Sequence, residues 1–233
     1  MNDIFVYPLQ NSKEYKDIIN CINNNKGSLL INGLLAVQKP HIAYSMYRDL
    51  NRQTIFITNS DLEAKKVYDD LSFYMKDKVE YIGFQDILFY HLDAKDRSEE
   101  AKRLKVLLKL AKGENVILVT SIEAVMRKYI PKEILLENIY TYKIGDVINL
   151  EKLSETLVNL GYERVSKIEG FGQFSIRGGI VDIFSLEYNN PIRMELFDDE
   201  IDSIRTFDVF SQKSIEKINQ FSITPSREFI YPE

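Results

Sequence analysis

The hydrophobic period of this chain changes once, near Pro131, and that change constrains the fold more than any other feature. From residue 28 to about 128, short apolar runs alternate with amphipathic stretches. SLLIN (28–32), QTIFITN (53–59), KVEYIGF (78–84) and NVILVT (115–120) read as strands, and 39–50, 60–75 and 97–112 as helices. The last helix has Asp96 as its cap with Glu99 in capping-box spacing. Leu104, Leu107, Leu108 and Ala111 form its apolar face, and Gly113 its stop. Strands alternating with helices predict a parallel sheet covered on both faces.

After Pro131 one helix, about 150–160, carries Leu153, Leu157 and Leu160 on one side and ends at Gly161. Short strands follow at Arg164–Glu169, Gln173–Arg177, Ile180–Ser185, Ile192–Phe197 and Glu200–Phe207. Gly170–Phe171–Gly172, Gly178–Gly179, Asn189–Asn190–Pro191 and Asp198–Asp199 supply the turns. This half reads as an antiparallel meander with a helix on one face. With no repeat and no low-complexity linker, the junction near 130 is tight.

Composition narrows the function classes. The one cysteine, Cys21, excludes an internal disulfide and reads as a small buried side chain. No apolar run approaches the roughly 20 residues that cross a bilayer, and the N-terminal stretch lacks a secretory signal. A cytoplasmic protein without a membrane partner is expected. A net charge of −5 argues against a module that grips DNA by itself.

Asn32–Pro40, NGLLAVQKP, sits where a nucleotide-binding protein keeps its phosphate loop. Gly33 and Lys39 fit that pattern, but Gln38 and Pro40 do not. Gln38 puts a side chain where phosphate would approach. Pro40 removes both the magnesium-binding hydroxyl and an N–H. The stretch reads as a strand–loop–helix connection without a nucleotide site, Pro40 suiting a first helical turn. The residues alone leave open whether it is a relic or a coincidence.

No catalytic or metal cluster emerges. His41 and His91 lie far apart, and Asp198, Asp199, Glu200 and Asp202 read as a hairpin turn. Tyr81, Phe84, Phe89 and Tyr90 read as packing around a strand end, and Arg177–Gly178–Gly179 as a turn.

EGFGQFSIRGGIVDIF (169–184) and PIRMELFDDEIDSIRTFDVFSQKS (191–214) carry the most specific signal. Together they resemble the signature shared by the bacterial excision-repair protein UvrB and the transcription-repair coupling factors. That pattern is an aromatic strand, an R-G pair, a D/E-I-F strand, the R-x-E/D…D-E-I-x-S-I-R-x-F-D run and a polar Q-[RK]-[ST]. Weaker resemblance runs through the first half. The degenerate loop, and too little room between YIGFQDIL and RSEEAKRL for UvrB's DNA-inserting hairpin, favour the coupling factors. On that resemblance the loop at 33–40 is a relic.

The resemblance implies an α/β fold in pieces. Residues 1–130 would form a P-loop-NTPase-like parallel-sheet domain with a degenerate phosphate loop, and 131–223 a small α+β domain with an antiparallel sheet. Residues 224–233 would begin the return into a truncated α/β domain. The small domain would bind UvrA through arginines on its exposed sheet face. Tyr162-Glu163-Arg164 and Phe174-Ser175-Ile176-Arg177-Gly178 match the motif, so Arg164 and Arg177 inherit that role. Ser175 replaces the middle arginine, losing its contact. Alternation puts Phe174 and Ile176 on one face and Gln173, Ser175 and Arg177 on the other. Phe184 is a weaker candidate, an apolar anchor beside Arg177.

The chain is thus expected to be a fragment without catalytic activity, cofactor or metal. ATP, magnesium, DNA and RNA polymerase would be engaged by coupling-factor domains absent from it, and the remainder of that protein would mask the UvrA surface. Two other readings stand beside recruitment: a UvrB-type ATP-dependent enzyme binding damaged DNA, and a module acting chiefly as an autoinhibitory clamp.

Overall fold

The computed structural model describes residues 4–24, 27–84 and 93–228. The elements begin with α1 (Tyr7–Gln10), α2 (Lys13–Asn23), α3 (Gln38–Leu50), β1 (Thr54–Thr58), α4 (Asp61–Met75), β2 (Val79–Ile82) and α5 (Asp93–Ala111). Next come β3 (Ile117–Ser121), α6 (Ile122–Val125), α7 (Lys132–Glu137), β4 (Tyr140–Lys143), α8 (Leu150–Asn159) and β5 (Glu163–Arg164). The last are β6 (Gln173–Arg177), β7 (Ile180–Ile183), β8 (Ile192–Phe197), β9 (Glu200–Phe207), β10 (Ser214–Lys217) and β11 (Gln220–Ile223). The chain divides into two compact units, Met1–Phe89 with Gly113–Lys128, and Tyr90–Lys112 with Tyr129–Glu233. The α5 helix, which the sequence groups with the first half, therefore clusters with the second unit.

In the first unit β1, β3 and β2 form a parallel sheet in that order. Ser60 caps α4 by accepting the Glu63 N–H at 3.3 Å. Ala64, Val67 and Leu71 of α4 then pack on Val79, Ile117 and Val119 of the sheet. Tyr44 and Tyr47 of α3 join this core, Tyr47 donating to the Asn115 carbonyl at 2.6 Å. His41 donates to the Phe5 carbonyl and stacks on Tyr74, a packing role. The central strand β3 is buried throughout, as a parallel strand covered on both faces should be. The edge strand β1 departs from that expectation, because Ile55 and Ile57 are exposed. Tyr81 packs on Tyr68, whereas Phe84 is exposed. Phe89, Tyr90 and His91 lie outside the described residues.

Residues 28–32 form no strand, contrary to the sequence reading. Leu29 and Leu30 are exposed, and Gly27 (φ 84°) and Gly33 (φ 83°) bend the backbone on either side. A short apolar run without alternation does not distinguish a strand from a loop. Cys21, expected in a core, is only half-buried on α2.

In the second unit α5 begins at Asp93, so Asp96 lies within the helix rather than capping it. Leu104, Leu108 and Ala111 bury against Leu135 of α7 and Leu186. Arg103 and Glu228 form a buried ion pair. The main sheet has the order β10-β9-β8-β7-β6-β5, antiparallel except that β5 runs parallel to β6. Asn149 caps α8 by accepting the Lys152 N–H at 2.9 Å. Its Leu153 and Leu157 pack on Phe174, Val181, Ile183 and Met194 from one sheet face. Full burial of a side chain such as Leu157 stabilises by about 1.5–3 kcal/mol. Asp198 takes φ 58° at the β8–β9 turn, the left-handed conformation that Asp tolerates. The pair β4–β11 lies outside the sequence reading and closes this core with Phe221 and Ile223. The strand expected at 164–169 shortens to β5, because Gln173 Oε1 accepts the N–H groups of Glu169 and Gly170 and turns the chain there.

Candidate interaction surface

With α8 covering one face of the six-stranded sheet, the other face carries its polar side chains. Cross-strand register sets Ser175, Asp182, Arg193 and Arg205 in one row across β6, β7, β8 and β9. Asp182 is only 1% exposed and accepts three N–H bonds. Arg193 grips it with Nε on Oδ1 at 2.6 Å and Nη2 on Oδ2 at 2.8 Å. Arg177 Nη2 reaches Oδ2 from the other side at 2.6 Å. A buried carboxylate demands such partners, because an unpaired charge there is strongly destabilising. The Asp182 bonds raise the Arg193 pKa further above its ordinary value. Arg193 also donates to Gln212 Oε1 at 3.2 Å and lies 4.4 Å over the Phe207 ring. Beside this row Glu195 accepts from Arg205 and from Ser203, and the Arg205 bonds hold its carboxyl below the usual range.

Arg177 itself is at the open end of this cluster, its side chain 48% exposed. Ser175 is buried and donates to the Ser166 carbonyl at 3.2 Å, so it offers a partner nothing.

Arg164 is not on that face. β5 pairs with β6 so that Arg164 aligns with Phe174, a core residue. Arg164 lines a groove of about 580 Å³ with Leu150, Glu151, Glu155 and Val158 of the α8 side and with Ile176. The expectation that both arginines share the exposed sheet face is therefore corrected: the parallel pairing of β5 turns Arg164 toward α8.

Phe184 is corrected as well. It is 5% exposed, and the 170–172 turn folds Phe171 over it with ring centroids 4.2 Å apart. The exposed aromatic of the pair is Phe171, at 52%. Asp182 and Arg193, which organise the face, went unassigned in the sequence. Their signal was a lone acid between apolar strand residues, VDI, with an arginine on the next strand.

In the loop at 33–40, Gln38 opens α3 and its Oε1 accepts the Leu35 N–H at 2.9 Å. The Gln38 and Lys39 N–H groups bond the carbonyls of Leu35 and Ala36. Pro40 is buried in the first turn, where its missing N–H costs nothing, and Lys39 is exposed. The N–H groups of Leu35, Gln38 and Lys39 thus close on the loop itself.

The residues that build the sheet and its arginine cluster coincide with a known domain: 141–229 match the family model of the UvrB interaction domain. Most of the chain is similar to the N-terminal region of bacterial transcription-repair coupling factors. It is 33% identical to that of Bacillus subtilis over 223 residues, 95% of this chain and 19% of the relative. Identity to the Staphylococcus epidermidis coupling factor is 33% over 204 residues, 87% of this chain and 17% of the relative. For Staphylococcus aureus it is 33% over 209 residues, 89% of this chain and 18% of the relative. The chain spans about a fifth of the length of these curated relatives. Within the UvrB interaction domain, Arg177, Asp182 and Arg193 all fall inside the matched residues. Among the described residues, no helix is long and apolar enough to cross a membrane.

Proposed function

We propose that this chain is a non-catalytic recruitment module, which presents the end of its antiparallel sheet to the damage-recognition protein UvrA. The observation that carries the reading is the exposed Arg177 guanidinium on the outer face of the UvrB interaction domain. Arginine suits such a contact because its planar fork pairs bidentately with carboxylates. Arg164, at the rim of the α8 groove, is a second contact. In the longer protein, ATP-driven DNA translocation and RNA polymerase binding belong to other domains, and packing of those domains against this sheet masks it until it is needed. The protein acts in the cytoplasm. The reading assigns no nucleotide to residues 33–40, in keeping with the Leu35 N–H already bonded to Gln38.

The test is a calorimetric titration of the chain into UvrA from the same organism, with a parallel titration of ATP and magnesium. Saturable UvrA binding without nucleotide binding is the expected result. ATP binding with no UvrA binding would replace this reading by the ATP-dependent, UvrB-type one.

A further inference from the structure

We infer that Asp182 and Arg193 are positioning residues for Arg177: they latch its guanidinium so that it meets an acidic group of the partner already oriented. The inference deepens the recruitment reading and rests on it for the partner, while the latch is a property of the free chain.

The three side chains come from three neighbouring strands, β6, β7 and β8. Asp182 shares both carboxylate oxygens with Arg193 and one of them with Arg177, all at 2.6–2.8 Å. Two cations and one anion leave the cluster with a net positive charge. Burial decides where that charge shows: the Arg193 side chain is 15% exposed, whereas that of Arg177 is 48% exposed. The excess charge is therefore offered to solvent at Arg177. The Asp182 bond engages one of the five N–H donors of Arg177, and an arginine fork has donors to spare for a second carboxylate.

Arg193 anchors the latch because it is fixed on every side. Besides Asp182 it bonds Gln212 and lies on the Phe207 ring. Gln212 is itself held, since its Nε2 donates to the Val209 carbonyl at 2.7 Å and its N–H to the Asp208 carbonyl at 2.8 Å. Asp208 in turn accepts the Ser211 N–H and hydroxyl at 2.8 and 2.7 Å. The polar residues of the DVFSQKS stretch thus brace Arg193 from below. An arginine ordered beforehand loses less side-chain freedom on binding, which is how preorganisation raises affinity.

A double-mutant cycle on the UvrA titration tests this, using Asp182→Asn, Arg177→Ala and both together. Asp182→Asn is expected to weaken binding about tenfold, and to add less than about twofold once Arg177 is alanine. Equal weakening in both backgrounds would overturn the latch, and so would tighter binding by Asp182→Asn, the mark of an acid that competes with the partner. Arg193→Lys, which keeps the charge and loses the fork, serves as the second variant if Asp182→Asn does not fold. Side-chain NMR of the Arg177 Nε–H in the free chain separates the latch from the recruitment reading. An ordered Nε–H that becomes mobile in either variant supports the latch even if UvrA binding fails, and a mobile one in the unmodified chain overturns it.

Discussion

Arg164 and Arg177 stand on opposite faces of one sheet, Arg164 aligned with the core residue Phe174 and Arg177 bonded to Asp182 on the outer face. A partner that uses both must reach around the short strand β5. Side chains so separated, with no partner in common, contribute independently. Arg164→Ala and Arg177→Ala should therefore each weaken UvrA binding. The double variant's loss should equal the sum of the two within about 0.5 kcal/mol, read by calorimetry.

Phe184 has a stability role. Buried beneath Phe171, it should cost about 3–5 kcal/mol when replaced by alanine, the usual range for a buried Phe. Phe171→Ala, at a half-exposed ring, should cost clearly less. Urea unfolding of the two variants checks the order, and a neutral Phe184→Ala would return that ring to the surface.

How far such features can be read in advance depends on how local their causes are. β6, β8 and β9 are legible to the residue, because apolar alternation and glycine or aspartate turns sit next to one another in sequence. The pair β4–β11 is not, since each strand is only four residues long and its partner lies in a distant part of the sequence. Arg177 is placed by the alternation of its own strand. Arg164 and Phe184 are misplaced by the same logic, because the parallel pairing of β5 and the fold-over of Phe171 are tertiary events. The Arg177–Asp182–Arg193 cluster needs register across three strands, and no single segment carries that.

The loop at 33–40 makes a separate prediction. Gln38→Ala removes the acceptor for the Leu35 N–H and should cost about 0.5–1.5 kcal/mol, the net worth of one such hydrogen bond. Lys39→Ala, at an exposed position, should stay within about 0.5 kcal/mol. Neither the unmodified chain nor the Lys39 variant should gain melting temperature from ATP and magnesium; a rise in the unmodified chain that Lys39→Ala abolishes would mark a working phosphate loop.

Tyr162 gives the fold a dependence on high pH. It is buried, donates to the Thr224 carbonyl at 2.8 Å, and burial pushes its phenol well above the ordinary value of 10.0. The unfolded chain releases this proton above pH 10.0 while the folded chain holds it. Its stabilisation is present below that pH and is lost as pH rises toward the folded-state value. Tyr162→Phe should cost about 1–2 kcal/mol at neutral pH, and its stability should fall less steeply in alkali than that of the unmodified chain. Urea melts at neutral and alkaline pH compare the two slopes.

The most direct trial of the recruitment surface is a charge reversal at two exposed basic residues, Arg177→Glu and Lys39→Glu, each titrated into UvrA. Lys39 is exposed, and Asp182 keeps both of its Arg193 bonds when Arg177 is changed, so both variants should fold. Binding lost with Arg177→Glu and kept with Lys39→Glu is the predicted result. Binding kept with Arg177→Glu would contradict it and remove the sheet face from the contact.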